Sequence, residues 1–161
     1  MSMNGEYLRV TPEELARALE DPEWAWDFAD EAQDRSAEGD GGRFFSTDRA
    51  WDLLGFLLKR SGFPVDVVHG EEPMPGAEDW GYGPPRHLTV AQVRSAAERL
   101  ERLSYDELIA DVDQAELDAT EIYPQIDDTA SLDWAREAFT PLVDFFRTAA
   151  TAGHAVLVWI D

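Results

Sequence analysis

Apolar side chains cover well over half of a helical wheel drawn over residues 45–62, FSTDRAWDLLGFLLKRSG. Asp48, Asp52, Gly55 and Lys59 share one narrow polar strip of the wheel. A helix that is apolar over so wide an arc is normally surrounded by other elements. We therefore expect residues 45–62 to form the central helix of the fold, with this strip as the place where a ligand could reach it.

Helical spacing of apolar residues recurs in other stretches, and each stretch begins at a residue that caps helices well. The caps are Thr11 (with Glu14), Asp21, Thr89 (with Gln92), Ser104 (with Glu107), Asp113 and Ser131. About six helices are predicted in all. Pro141 lies inside the last of them, so we expect a kink or a break there, with Thr140 as a new cap.

Strand-like patterns are shorter and fewer than the helical ones. Residues 5–10 and 65–68 are strand-like, residues 43–45 suit a short strand leading into the central helix, and residues 154–160, HAVLVWI, are apolar almost throughout. The last pattern is typical of a strand buried on both faces. Strands do not alternate regularly with helices, so we predict a helix-dominated α+β fold with a small, mostly antiparallel sheet rather than a doubly wound one.

Two stretches lack any period. Residues 35–42 turn to small and polar side chains with three glycines, which predicts a mobile loop between two halves of one domain spanning 1–161. Residues 69–87 are rich in Gly and Pro and also carry Trp80 and Tyr82. In small domains, structureless segments of that length are uncommon, and most of them have a functional role or contact a partner.

Charge is the most unusual property of the whole chain. Thirty-four acidic residues against thirteen basic ones give a net charge of −21 over 161 residues. Nucleic-acid and anionic-membrane binding both need clustered Lys and Arg, so neither partner is expected. The acidity fits either a solvated surface of the kind that high-salt or GC-rich proteomes favour, or a face that docks on a basic protein partner.

Several functional classes have no support in the sequence. With no cysteine, disulfides, thiolate catalysis and cysteine zinc sites are excluded. The first residues lack the basic start and apolar run of a signal peptide, and no apolar stretch approaches the ~18 residues of a membrane span, so a cytoplasmic protein is expected. Phosphate-loop, dinucleotide and nucleophile-elbow motifs are missing too. No cofactor is predicted.

Residues 69–72, HGEE, are the best candidate for a metal or acid–base site. One imidazole and two carboxylates suit either role, but adjacent side chains point apart in an extended chain. A metal site would need Asp52, Glu121 or another residue brought in by folding, and solvated loop residues are the preferred interpretation. No metal is therefore predicted. His87 and His154 are expected to be structural.

Asp52 has two interpretations. It could be a boundary residue that pairs with a nearby cation or backbone group, or a pocket carboxylate whose pKa its apolar surroundings raise. Gly55, one turn later, costs a helix on the order of 1 kcal/mol relative to Ala. Its presence suggests that a neighbouring segment packs closely there, or that a small hollow opens beside Asp52.

The six tryptophans divide into two groups. Four fall within regular apolar patterns and are expected in the core: Trp24, Trp51, Trp134 and Trp159. Trp26 and Trp80 fit their patterns less well. Two exposed indoles on an acidic surface would make a partner-binding patch.

Five landmarks in order resemble the YfbM-like family of small bacterial proteins, a domain-of-unknown-function family. They are residues 3–19, MNGEYLRVTPEELARAL; 47–62, TDRAWDLLGFLLKRSG; 69–72 with 81–89, HGEE and GYGPPRHLT; 121–124, EIYP; and 153–161, GHAVLVWID. The resemblance implies a compact α+β domain in the bacterial cytoplasm, with no agreed activity and no catalytic residues to transfer. In the family pattern a histidine often stands where this chain has Gly55, which weakens any acid–base role for an Asp–His pair on this helix.

Two functional hypotheses follow. The first is a non-enzymatic acidic module that recognises another macromolecule, in the manner of immunity or antitoxin proteins. Small size, charge and the aromatic loop favour it. The second is an enzyme or small-ligand-binding protein with a carboxylate-rich pocket. Pro124 disfavours helix at the residue before it, so the EIYP stretch should leave its helix and present a side chain to that pocket. The candidate pocket residues are Asp52, Glu71, Glu72, Tyr82, Arg86, Glu121 and Tyr123.

Overall fold

A five-stranded antiparallel sheet runs through the middle of the molecule, with helices on both of its faces. The computed structural model describes residues 2–39 and 42–161. In chain order the strands are β1 (Gly5–Val10), β2 (Phe44–Asp48), β3 (Glu72–Pro73), β4 (Arg86–Leu88) and β5 (Ala155–Ile160). Their order across the sheet is β2-β1-β5-β4-β3. The two longest strands therefore lie side by side near the centre, in register from Gly5 opposite Ile160 to Val10 opposite Ala155.

Helices dominate the chain. Within the described residues there are seven α-helices and one 3₁₀-helix. They are α1 (Pro12–Glu20), α2 (Pro22–Ala37), α3 (Trp51–Arg60), α4 (Val90–Leu100), α5 (Tyr105–Ala110), α6 (Gln114–Asp118), the 3₁₀-helix (Thr129–Ala135) and α7 (Arg136–Thr151). Capping boxes at Thr11 and Thr89 are formed as predicted. The predicted single α+β domain, with helices on a small antiparallel sheet, is confirmed.

Alternating side chains of the central strands pack into two separate hydrophobic cores, one on each face of the sheet. Tyr7, Val156 and Val158 point to one face, where they meet α3, α4, α5, the 3₁₀-helix and α7. Leu8 and Leu157 point to the other face, under α1, α2 and the segment around Trp80. Because both faces are covered, β5 is apolar throughout, as expected for a strand with no solvent-facing side.

The central helix is shorter than its apolar pattern predicted. Residues 44–48 form strand β2 and pair with β1. A turn at Asp48, with a φ of 49°, then reverses the chain before α3 begins at Trp51. No side chain caps α3 at its N-terminus. The predicted start at residue 45 was wrong because the aromatic residues of β2 extend the helical pattern while tertiary pairing commits them to the sheet.

Three other local predictions also need correction. Residues 65–68 form turns rather than a strand. Asp128, not Ser131, caps the segment before α7, and that segment is a 3₁₀-helix. Helix α7 continues through Pro141, so the alternative of a break with Thr140 as a new cap is wrong.

The two stretches without a period fold differently from each other. Helix α2 continues to Ala37, inside the predicted loop 35–42, while residues 40 and 41 of that loop lie outside the described part. The second stretch, 69–87, contains β3 and the start of β4 and otherwise consists of turns packed against the sheet. None of the helices in the described part is both long and apolar enough to span a bilayer.

Candidate functional site

A cleft of about 530 Å³ opens beside α3, on the sheet face that carries the larger core. We call it the Asp52 cleft. Three segments form it: α3, the turns at 63–71, and residues 120–122 that follow α6. Its lining residues are Asp52, Gly55, Phe56, Leu58, Lys59, Phe63, Pro64, Val65, Asp66, Val67, Val68, His69, Glu71, Thr120, Glu121 and Ile122.

Asp52 stands at the N-terminal end of α3 and ties that helix to the EIYP segment. Its Oδ2 accepts a hydrogen bond of 2.7 Å from the backbone N–H of Tyr123. The neighbouring Trp51 donates from Nε1 to the carbonyl of Met3 at 2.9 Å, and the amide of Met3 donates to the hydroxyl of Tyr123 at 3.0 Å. The Asp52 carboxylate is thus bonded to the backbone of Tyr123, and the side chains of Trp51 and Tyr123 are both bonded to Met3.

An imidazole–carboxylate pair, His69 and Asp66, lines the cleft from the turns at 63–71. The Nδ1 of His69 is 3.4 Å from Oδ2 of Asp66. The contact with Asp66 raises the pKa of His69 although partial burial opposes the charge, and Asp52 adds to the increase. Burial disfavours the charged form of Asp66 as well, but the bonds from His69 outweigh it and lower the Asp66 pKa. Each shift favours the charged form of its group.

Gly55 contributes to the open space of the cleft. A Cβ at this position would lie 3.5 Å from the methyl groups of Val68, which is ordinary van der Waals contact. The turn carrying Val68 therefore packs over Gly55 without needing a glycine, and the absent side chain leaves a small hollow one helical turn from Asp52. Val68 thus contacts this position without a close approach that only glycine would allow.

The structure distributes the seven predicted pocket residues over three locations. Asp52, Glu71 and Glu121 line the cleft. Arg86 supports it from behind, donating from Nε to the carbonyl of Gly70 at 2.9 Å and from Nη2 to that of Glu71 at 2.8 Å.

The other three lie outside the lining. The backbone amide of Tyr123 binds Asp52 and its hydroxyl binds Met3. Glu72 accepts from the side chain of Gln92 at 3.0 Å, on β3. Tyr82 is 49% exposed at the end of β5, where its amide binds the carbonyl of Ile160.

Sequence reasoning missed two polar residues of the cleft. Asp66 followed a strand-like run and was not singled out, yet it organises the turn by accepting from the amides of Val68 and His69 at 3.2 and 2.9 Å. Lys59 was assigned only to the polar strip of α3, and that strip does face the cleft. Among residues 2–39 and 42–161, no three His, Asp or Glu side chains are placed to hold a metal ion.

A second surface feature lies on the opposite face of the sheet. A groove of about 620 Å³ runs between α2 and the turn at 76–80. We call it the Trp26 groove. Its lining residues are Pro22, Glu23, Trp26, Asp27, Gly76, Glu78, Asp79 and Trp80. Four of these eight are carboxylates and none is a cation.

The indole of Trp26 is exposed but held in place. It is 44% exposed and meets Trp80 edge-on with ring centroids 5.5 Å apart. Trp80 is only 3% exposed and meets Trp159 in the same way at 5.3 Å. Trp80 therefore packs back onto the core rather than being exposed. A segment without a period gave no sign that its backbone would fold over and place the ring against β5.

Trp134 is also placed differently from its prediction. It is 42% exposed instead of lying in the core. The apolar pattern was drawn for one long α-helix, but Trp134 belongs to the 3₁₀-helix, whose side chains repeat every three residues instead of every 3.6. The change of period turns Trp134 outward, while the neighbouring Ala135 is buried.

Comparison with known proteins identifies relatives of unknown function. The model of the family described as "Domain of unknown function (DUF1877)" matches residues 1–159. A crystal structure of YfbM, a protein of unknown function from Escherichia coli, matches with a TM-score of 0.64 and 21% sequence identity, covering 100% of both chains. That likeness shows the shared fold. A search of curated proteins found no match.

Proposed function

This chain belongs to the DUF1877 family of domains of unknown function, and from its acidic surface we propose that it is a non-enzymatic binding module for a basic protein. The Trp26 groove is the proposed contact surface. In this role the chain would act in the bacterial cytoplasm in the manner of immunity or antitoxin proteins, which work by occupying another macromolecule.

One observation supports this proposal above the others: an exposed, immobilised indole lies among four carboxylates with no cation in the groove. Within the described part of the chain, none of Glu23, Asp27, Glu78 and Asp79 takes part in an ion pair. Elsewhere on the surface, acidic residues such as Glu116 and Asp133 do pair with arginines. The groove therefore offers negative charge that is not already neutralised.

Electrostatics and packing then have separate roles in binding. Unpaired carboxylates attract a basic partner and speed association, an effect that salt screens. Trp26 supplies apolar area in the groove, and tryptophan is enriched among the residues that dominate binding energy. Its edge-to-face contact with Trp80 favours one ring orientation before the partner arrives, which reduces the side-chain freedom lost on binding.

A defined basic probe tests the surface directly. The probe is a labelled 12-residue peptide of alternating Lys and Leu, titrated by fluorescence anisotropy. We expect Trp26→Ser to weaken binding by about tenfold, as for loss of a central aromatic contact. The matched control is Trp134→Ser, which removes an equally exposed indole from the other side of the sheet and should leave binding within about twofold.

A second pair of variants separates the groove from the overall charge. Asp27→Asn/Glu78→Gln and Glu98→Gln/Glu107→Gln change the net charge equally, but only the first pair lies in the groove. The groove pair should weaken the peptide by about fivefold or more and flatten its salt dependence. Equal effects of the two pairs would mean that the peptide responds only to the overall negative charge, and would refute the proposal.

Affinity capture from the source cells extends the test to the natural partner. The proposal requires a basic protein that the unmodified chain and Trp134→Ser both retain and that Trp26→Ser loses. If all three forms retain the same proteins, the groove is not the contact surface.

A further inference from the structure

We propose that the Asp52 cleft is a second, independent binding site, which takes a small molecule with a protonated amine and an apolar body. The cleft lies against the core formed by α3, while the Trp26 groove lies against the core formed by α1 and α2. The sheet separates the two. Neither site shares a lining residue with the other.

The size and the lining of the cleft suit a small molecule. Its volume of about 530 Å³ is within the range of ligand pockets, roughly 300–1,000 Å³. Apolar side chains cover much of its wall: Phe56, Leu58, Phe63, Pro64, Val65, Val67, Val68 and Ile122. The hollow left by Gly55 adds depth beside Asp52. An aromatic or aliphatic body would be enclosed here, with its polar end directed to the rim.

Two carboxylates of the cleft are available to a ligand. Asp52 uses Oδ2 for the Tyr123 amide, and its Oδ1 has no hydrogen-bond partner among the described residues. Glu121 is exposed and likewise makes no ion pair in the described part of the chain. The other two carboxylates hold the loop itself: Asp66 binds His69, and Glu71 accepts from the amide of Asp66 at 2.7 Å.

The balance of charge selects an amine. The lining carries four carboxylates, Asp52, Asp66, Glu71 and Glu121, against the cations Lys59 and His69. Even with His69 protonated, the cleft remains negative overall. A ligand carboxylate would face Asp52 across the hollow and be repelled, whereas an ammonium group would donate charge-assisted hydrogen bonds to Asp52 and Glu121.

Three small probes of matched shape test the inference by ¹H–¹⁵N NMR: phenethylamine, 2-phenylethanol and phenylacetate. We expect phenethylamine to shift the amides of Gly55 and Tyr123 saturably, with a Kd in the millimolar range typical of such small probes. The alcohol should bind about tenfold more weakly, since it keeps the ring but lacks the charge. Phenylacetate should not bind.

Variants distinguish the site from a surface effect. Asp52→Asn keeps an oxygen acceptor for the Tyr123 amide while removing the charge, and it should weaken phenethylamine by about tenfold. Gly55→Leu should abolish binding by filling the hollow. Gly55→Ala is the steric control, because its Cβ makes only ordinary contact with Val68. Trp26→Ser should leave phenethylamine binding unchanged, so this site is tested apart from the proposed protein contact.

Three outcomes with the unmodified chain would overturn the inference. They are no saturable shift with phenethylamine, equal binding of all three probes, and shifts confined to residues outside the cleft. Unfolding curves for each variant keep the result interpretable. Loss of binding in a variant as stable as the parent chain supports the site. Unchanged binding in both the Asp52→Asn and the Gly55→Leu variant contradicts it.

Discussion

Asp52 accepts a hydrogen bond from the backbone amide of Tyr123, a residue 71 positions further along the chain. The bond joins the first turn of α3 to a segment with no regular secondary structure of its own. Trp51 and Tyr123 both bind Met3, so the contact belongs to a small network that also holds the residues before β1. One carboxylate oxygen of Asp52 thus has a structural role, and the other remains available as a hydrogen-bond acceptor.

Replacing Asp52 separates these two roles. Asp52→Ala leaves the Tyr123 amide without its acceptor, and we expect a loss of about 1–3 kcal/mol in the free energy of unfolding. Asp52→Asn keeps the acceptor and should lose less than half of that amount. Urea denaturation monitored by circular dichroism measures both. Equal stability of the two variants would mean that the amide is satisfied by water in the absence of the carboxylate.

A buried glutamate makes stability depend on pH. Glu6 on β1 is 3% exposed and its Oε2 has no partner among the described residues. Burial, with a contribution from the charge of Asp161, raises its pKa from 4.5 to about 8. Below pH 4.5 the group is protonated in both states. Between pH 4.5 and about 8 only the unfolded chain releases the proton, so stability falls as pH rises, by up to about 1.4 kcal/mol per pH unit.

Glu6→Gln should remove that slope. The variant is expected to be more stable than the parent chain at pH 7 and equal to it near pH 4.5, because glutamine matches the neutral carboxylic acid in size and polarity. Urea denaturation of both proteins from pH 4.5 to 8.5 is the measurement, and the difference between them isolates Glu6 from the general repulsion of an acidic chain. Parallel pH profiles would show that Glu6 ionises normally.

The three histidines should titrate in a definite order. The bond to Asp66 raises the pKa of His69. Burial lowers the pKa of His87, and burial together with Arg9 and Arg43 lowers that of His154. NMR titration of the imidazole protons should therefore place His69 above 6.5 and the other two below it. Asp66→Asn should return His69 towards its ordinary value and leave His87 unchanged. If His69 keeps its raised value in that variant, another group is responsible.

Two glycines of the same turn differ in what they tolerate. At Gly81, with a φ of +139°, a Cβ would lie 2.6 Å from the Cα of Asp161 and 2.7 Å from the carbonyl oxygen of Ile160. Gly83 has a φ of +110° and open space around it. Gly81→Ala should therefore destabilise by about 2–4 kcal/mol through backbone displacement, and Gly83→Ala by about 1–2 kcal/mol from strain alone. Thermal unfolding of the pair measures the difference, and equal losses would place the end of β5 further from the turn.

Local signals along the chain account for much of the fold. Thr11 and Thr89 form capping boxes where their sequence patterns predict them, and β5 is buried on both faces as its unbroken apolar run indicates. The beginning of α3 could not be predicted in the same way. Residues 44–48 continue the apolar spacing of the helix, and only hydrogen bonding to β1 assigns them to the sheet.

The candidate sites were harder to predict from the sequence than the helices and strands, because they depend more on tertiary folding. Asp52, Gly55 and Lys59 share a polar strip in the sequence and share a cleft in the structure, because spacing along one helix fixes which side chains lie together. Glu121 reaches the same cleft from a segment far along the chain, and no local sequence pattern predicts that it lies near Asp52. Tyr82 and Trp80 are near neighbours in sequence, yet the turn at Gly81 sends one to solvent and the other into the core.

The sequence by itself thus determined the fold class, most of the caps, the buried strand and the acidic charge, since each depends on side-chain chemistry or on a repeat only a few residues long. The tertiary structure alone decided that β2 pairs with β1, that the indole of Trp80 lies beneath Trp26, and that Glu121 joins Asp52. These are contacts between distant positions, set by how two cores close on opposite faces of one sheet, and no periodic pattern along the chain encodes them.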